Sequence, residues 1–125
     1  QKPQLRFDIL EEISKRLPNF PIVLHGASSV SQEYVEIIQK YGGKLDDAIG
    51  IPEDMLRQAA KSAVCKINID SDLRLAFTAG VREYLYNNPS HFDPRQYLTV
   101  GRNYIKELVR HKIVNVLGCS GAAAK

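Results

Sequence analysis

Two short strand-like runs, each followed at once by a helical pattern, constrain the fold of this chain more than any other feature. The first is Phe20-Pro21-Ile22-Val23-Leu24-His25-Gly26-Ala27-Ser28-Ser29-Val30. Pro21 suits a strand's first position, and Ile22-Val23-Leu24 is the unbroken apolar run of a strand buried on both faces. Gly26 lets the backbone turn sharply and approach a ligand closely. The second run is Cys65-Lys66-Ile67-Asn68-Ile69-Asp70-Ser71-Asp72, a strand that ends in polar residues. Strand-then-helix order, repeated, implies parallel strands that need cover on both faces, and two such strands do not make a stable sheet. The spacing predicts Pro21–Leu24 and Lys66–Ile69 as adjacent parallel strands, with His25 and Asn68 at the same C-terminal edge. In α/β proteins ligands bind at that edge, and the N–H groups of Gly26 to Ser29, leading into a helix, suit an anion.

Helical periodicity fills the rest. Ile9, Leu10, Ile13 and Leu17 predict an amphipathic helix from Leu5 to Leu17, ended by Pro18-Asn19. Ser31 is placed to cap a helix whose apolar side is Tyr34, Val35, Ile37, Ile38 and Tyr41, with Gly42-Gly43 as its stop. Residues 43–51 read as a loop. Pro52 suits the first helical position, Glu53 and Asp54 favour a helix N-terminus, and Met55, Leu56, Ala59, Ala60 and Ala63 face inward. Ser71–Tyr86 is a helix closed by Asn87-Asn88-Pro89. Asp93-Pro94 opens the last and longest helix, whose apolar face of Tyr97, Tyr104, Ile105, Leu108, Val109, Ile113, Val116 and Leu117 runs to Gly118. A closed (β/α)8 barrel takes ~250 residues, so these elements amount to its last two or three units.

Composition narrows the class. With 125 residues, 44% hydrophobic and 25% charged, the chain has the make-up of one folded globular domain rather than a disordered segment. The net charge of +3 is spread over all the helices and the 8% aromatic content forms no stacking platform, so nucleic acid is not an expected partner. No stretch resembles a membrane span. Cys65 and Cys119 have no CxxC spacing, and a buried-strand cysteine plus one in the tail suit a reducing compartment, so cytoplasm is expected. The opening Gln1-Lys2-Pro3 has no initiator methionine and no leader, which suggests a start within a larger protein.

The segments PIVLHGASSV, YGGKLDDAIGIPEDMLRQA, VCKINIDSDLRLAFTAGVRE and NPSHFDPRQYL, in this order and spacing, together resemble the C-terminal part of a class II, metal-dependent fructose-1,6-bisphosphate aldolase. The resemblance covers nearly the whole chain. It implies that residues 1–125 are the C-terminal segment of one barrel domain whose N-terminal part is not in this chain. Tagatose-bisphosphate aldolases share HGAS and a DPR segment but tend to read NVATEL where this chain reads NIDSDL, which favours fructose over tagatose. The alternatives are a tagatose-1,6-bisphosphate aldolase and a non-enzymatic phosphate-binding α/β module.

The resemblance implies that His25 is one of three histidines on the catalytic zinc, the other two and the acid/base aspartate lying upstream of this chain. From the residues alone, an imidazole at a strand end is either a metal ligand or a hydrogen-bonded core histidine. Gly26, Ala27 and Ser28 resemble the family's first phosphate-binding segment, although by themselves they read equally as a tight turn with a serine cap. Asn68, Ile69, Asp70 and Ser71 resemble the second contact with dihydroxyacetone phosphate. There Asn68 touches the enediolate, Ser71 and the local backbone face the phosphate, and the Asp70 carboxylate caps the helix and orients the loop. Arg74 and Arg95 are the implied cations for the far phosphate, reaching a neighbouring subunit. Lys66 sits where a Schiff-base lysine would, but the class II motifs imply a metal electron sink instead. His91 and His111 are read as solvated surface residues, and Tyr84, Tyr97 and Tyr104 as packing residues. The implied reaction is reversible cleavage of fructose 1,6-bisphosphate to dihydroxyacetone phosphate and glyceraldehyde 3-phosphate, with Zn2+ and, as often in this family, a monovalent cation, in a homodimer or homotetramer.

Overall fold

In the computed structural model, residues 3–124 are described. The elements are α1 (Phe7–Arg16), β1 (Ile22–Leu24), α2 (Gln32–Lys40), α3 (Glu53–Ala60), β2 (Val64–Ile67), α4 (Ser71–Asn87) and α5 (Pro94–His111). A π-helical turn over Lys112–Leu117 continues α5, and a short 3-10 turn covers Ala122–Ala124. β1 and β2 are hydrogen-bonded and parallel, with Val23 opposite Lys66 and Leu24 opposite Ile67. The register slips between Ile22 and Val23, where Ile22 pairs with Val64 and its N–H donates to the Ala63 carbonyl at 3.1 Å.

The parallel pair is as the sequence implies, but β2 lies two residues earlier than Lys66–Ile69. Its last paired residue faces Leu24, where β1 ends, because Gly26 takes a φ of +66° and turns the chain away. Among the described residues no strand lies beyond Leu24 for Asn68 and Ile69 to pair with, and they form the link into α4.

The sheet is covered on one face. Ile22, Leu24 and Val64 turn toward α1 and α3, and Leu24 and Ile67 pack on a core of Ala27, Ile51, Leu56 and Val116. On the opposite face Val23 is 43% exposed, and Lys66 and Cys65 are open. Burial of both strand faces is therefore not met among the described residues, because all the cover comes from the helices on one side. Cys65 is likewise exposed rather than buried.

α4 and α5 form an antiparallel hairpin packed so closely that a Cβ on Gly101 would come within 2.7 Å of the Phe77 ring. The Tyr104 hydroxyl donates to Glu83 across this interface, and its pKa is pushed up to about 12 by burial first and by that carboxylate second. α4 spans 17 residues, so on the order of 25 Å separates its ends. α5 begins at the far end and returns, which brings Lys112 back beside the start of α4. The expected last helix changes form at Lys112. Leu108, Lys112 and Val116 are all buried at a spacing of four, wider than the 3.6-residue period, and a π turn keeps them on one face. Val109 and Ile113, expected inside, are 39% and 36% exposed.

Ends of elements differ in detail. Pro52 occupies the N-cap position of α3, which starts at Glu53. α1 begins at Phe7 rather than Leu5 and leaves Ile9 and Leu17 about half exposed. No helix among the described residues is long and apolar enough to cross a membrane.

Candidate active-site edge

His25 and Asn68 follow β1 and β2 directly, so parallel pairing sets them side by side at one edge. Asn68 Nδ2 lies 3.1 Å from His25 Nδ1 and donates to the Leu24 carbonyl at 3.3 Å. Both side chains are exposed on the sheet's open edge. Zinc takes about four nitrogen, sulfur or oxygen donors, and one accessible imidazole fits one such position. No group of three or more His, Cys, Asp or Glu side chains gathers for a metal among the described residues.

Gly26, Ala27 and Ser28 form the loop after β1. Gly26 and Ser28 are exposed and Ala27 is buried against the core. The loop is held from behind by residues 48–51. Ile51 N–H donates to the Ser28 carbonyl at 3.0 Å, and Gln32 Nε2 donates to the Ala48 and Val30 carbonyls at 2.9 and 3.2 Å. Gly50 lies so close that a Cβ there would meet Val30 N at 2.4 Å and the Ser28 oxygen at 2.6 Å. Nothing larger than glycine fits.

Ile69 and Asp70 complete the second loop, and Ser71 is the first residue of α4. The Asp70 carboxylate does not cap that helix. It pairs with Arg74 one turn on, at 3.0 and 2.9 Å, because an (i, i+4) guanidinium competes for it in the open. Arg74 is 78% exposed at the rim of this edge. Arg95 lies at the opposite end of the α4–α5 hairpin, forked onto Asp93 at 2.6 to 3.1 Å, and is not brought to His25 and Asn68 within the chain. Ser31 also makes no side-chain cap. Its N–H instead donates to Asp72 Oδ1 at 2.7 Å.

Directly behind the two loops is a buried polar cluster that motif reading missed. Lys112, 2% exposed, donates its ammonium to Ser29 Oγ at 2.8 Å and to the carboxylates of Asp72 and Glu53. The Ser29 hydroxyl in turn donates to Asp72 Oδ2 at 2.5 Å, and Asp72 is 1% exposed. Burial works to raise the Asp72 pKa, but the hydrogen bonds from Lys112, Ser29 and the Ser31 amide prevail and hold it below the usual carboxylate range. Burial likewise works against Glu53, and bonds from His111 and Lys112 bring it down. His111 is thus more than a solvated residue: Nε2 meets Glu53 Oε2 at 2.6 Å and Nδ1 meets the Asn115 amide at 2.9 Å. His91 is exposed and bonds the Tyr84 hydroxyl at 2.7 Å. The available signal for the cluster was a lysine four residues from both Leu108 and Val116.

Comparison with known proteins gives a consistent picture. The profile of the family described as "Fructose-bisphosphate aldolase class-II" matches residues 1–122. A protein of Treponema pallidum (strain Nichols) named "Fructose-bisphosphate aldolase" is 60% identical over 121 residues, covering 97% of this chain and 36% of that protein. Proteins of the same name from Thermus caldophilus and Giardia intestinalis (strain ATCC 50803 / WB clone C6) are 44% and 42% identical, over 98% and 96% of this chain and 39% and 36% of their own lengths. The chain spans somewhat over a third of the length of these curated relatives.

Proposed function

This chain belongs to the class II fructose-bisphosphate aldolase family, and from that membership we propose that it supplies the C-terminal part of the active site for reversible cleavage of fructose 1,6-bisphosphate to two triose phosphates. Its fold is accordingly the last units of a (β/α)8 barrel, and the family is in general zinc-dependent. The observation that carries the reading is the meeting of His25 and Asn68 at the C-terminal edge of two parallel strands, each followed by a helix-leading loop. In a barrel that edge is where chemistry is done.

His25 is the zinc ligand this chain provides, and a bound zinc ion supplies Lewis-acid polarisation of the substrate carbonyl. The remaining ligands and the acid/base come from the rest of the barrel. Asn68, held by the Leu24 carbonyl, orients the polar atoms of the substrate beside His25. Gly26, Ala27 and Ser28 on one side and Ile69, Asp70 and Ser71 on the other bind the near phosphate through main-chain N–H groups and the serine hydroxyls. The Asp70 carboxylate points its charge at Arg74 rather than at the anion, which removes a repulsion. Arg74 takes the far phosphate. Arg95, remote from its own chain's edge, serves a second subunit, which supports a homodimer or homotetramer. Two exposed thiols, Cys65 and Cys119, favour a reducing compartment, and we assign the protein to the cytoplasm. A monovalent cation beside the phosphate loop completes the proposal.

The test is zinc-dependent cleavage by the family-length protein that carries this sequence. Activity lost on chelation and restored by Zn2+ is the expected result; cleavage indifferent to chelator, or none with zinc restored, overturns the assignment.

A further inference from the structure

We propose that Lys112 is a positioning residue for the phosphate site: its buried ammonium ties the loop after β1 to the first turn of α4, so that the N–H groups of both loops converge on one anion. This deepens the phosphate-binding reading above and rests on it. The two loops come from different strands and share no backbone pairing once β1 ends at Leu24. Besides the contacts of Asn68 with Leu24 and His25 at the strand ends, what joins them is side-chain chemistry one residue behind each. Ser29 follows Ser28 and Asp72 follows Ser71, and both are bonded to each other and to Lys112 Nζ. The Ser31 amide adds a further bond to Asp72 at 2.7 Å.

The valences match. An ammonium has three N–H donors, and Lys112 has three acceptors in Ser29, Asp72 and Glu53. Charge supports the same role. Asp72 suits the positive end of α4, but a lone carboxylate one residue from a phosphate loop would repel the ligand, and Lys112 neutralises it. Placement on a π turn keeps the lysine on the buried face of a helix that starts at the far end of α4. The cluster therefore fixes the separation of two anion-binding loops without touching the anion.

The experiment compares wild type, K112M and the double variant K112M/D72N in the family-length protein loaded with zinc, by calorimetric titration with inorganic phosphate and by cleavage kinetics. K112M should bind phosphate at least tenfold more weakly and show a KM that rises more than kcat falls, with zinc content unchanged. D72N keeps an acceptor oxygen and the side-chain shape for Ser31 and Ser29 while removing the buried charge, so the double variant should regain the melting temperature yet stay at least tenfold weak for phosphate. That split is one a purely structural role would not give. If K112M does not fold, the double variant alone decides. Wild-type phosphate affinity in either variant overturns the proposal, as does recovery of affinity together with stability in the double variant. Because phosphate binding is read apart from turnover, a wild-type protein that binds phosphate but does not cleave the sugar refutes the aldolase assignment and leaves this inference standing. A wild type that binds no phosphate sinks the inference itself.

Discussion

Replacing Arg74 with alanine separates a binding role from a folding role, because the structure shows how little else that side chain does. Its guanidinium is 78% exposed and its one ion pair among the described residues, with Asp70, is open to water at 68% exposure. An exposed pair of this kind is worth about 0.2–1 kcal/mol, so thermal stability should scarcely change. A charge-assisted hydrogen bond to a phosphate oxygen is worth about 1.5–3 kcal/mol. Subtracting roughly 0.5 kcal/mol for loosening the Asp70 pair leaves about 1–2.5 kcal/mol, or roughly a 5- to 70-fold loss in kcat/KM for fructose bisphosphate. Dihydroxyacetone phosphate carries only the near phosphate, so exchange of its α-proton with solvent should stay close to wild type. The assay pair is steady-state cleavage against proton exchange followed by NMR. Equal loss of both activities would show that Arg74 supports the near site instead, and unchanged cleavage would return it to a solvated ion pair.

The remaining expectations are briefer. His25→Ala should abolish zinc retention by metal analysis of the dialysed family-length protein, and a variant that kept stoichiometric zinc would show the imidazole to be structural. Gly50→Ala must push apart backbone now in contact with Ser28 and Val30, and by misplacing the loop should weaken phosphate binding roughly 10- to 100-fold; unaltered binding would mean that the loop gives way without loss. Asp72 and Glu53 are both held below their ordinary values of 3.8 and 4.5, so the stability they contribute is complete above about pH 5 and is lost as pH falls through their lower folded values. Urea midpoints at pH 7 and pH 3.5 should therefore fall more for wild type than for K112M/D72N, and parallel falls would refute the linkage.

How far the sequence could be read depended on how far apart the partners lie. The turn at Gly26, the start of α5 at Asp93-Pro94 and the edge shared by His25 and Asn68 follow from neighbours in the chain, and the structure places each as read. Where two local rules competed, reading went astray. Asp70 had a helix start to cap and an arginine at i+4, and the open guanidinium took the carboxylate. Cys65 was misplaced because an apolar run says nothing about which strand face finds cover. Lys112 is the instructive failure. Its acceptors lie 40, 59 and 83 residues away in Asp72, Glu53 and Ser29, so its spacing of four from Leu108 and Val116 names no partner, and a lysine among Val109, Ile113 and Val116 counts as a break in the apolar face. Only the return of α5 along α4, set by the close approach at Gly101, brings the lysine to those groups. The residues proposed to meet a ligand lie at strand ends and can be read in order; the buried groups behind the two loops are brought together by helix packing, and become visible only once the register of that packing is known.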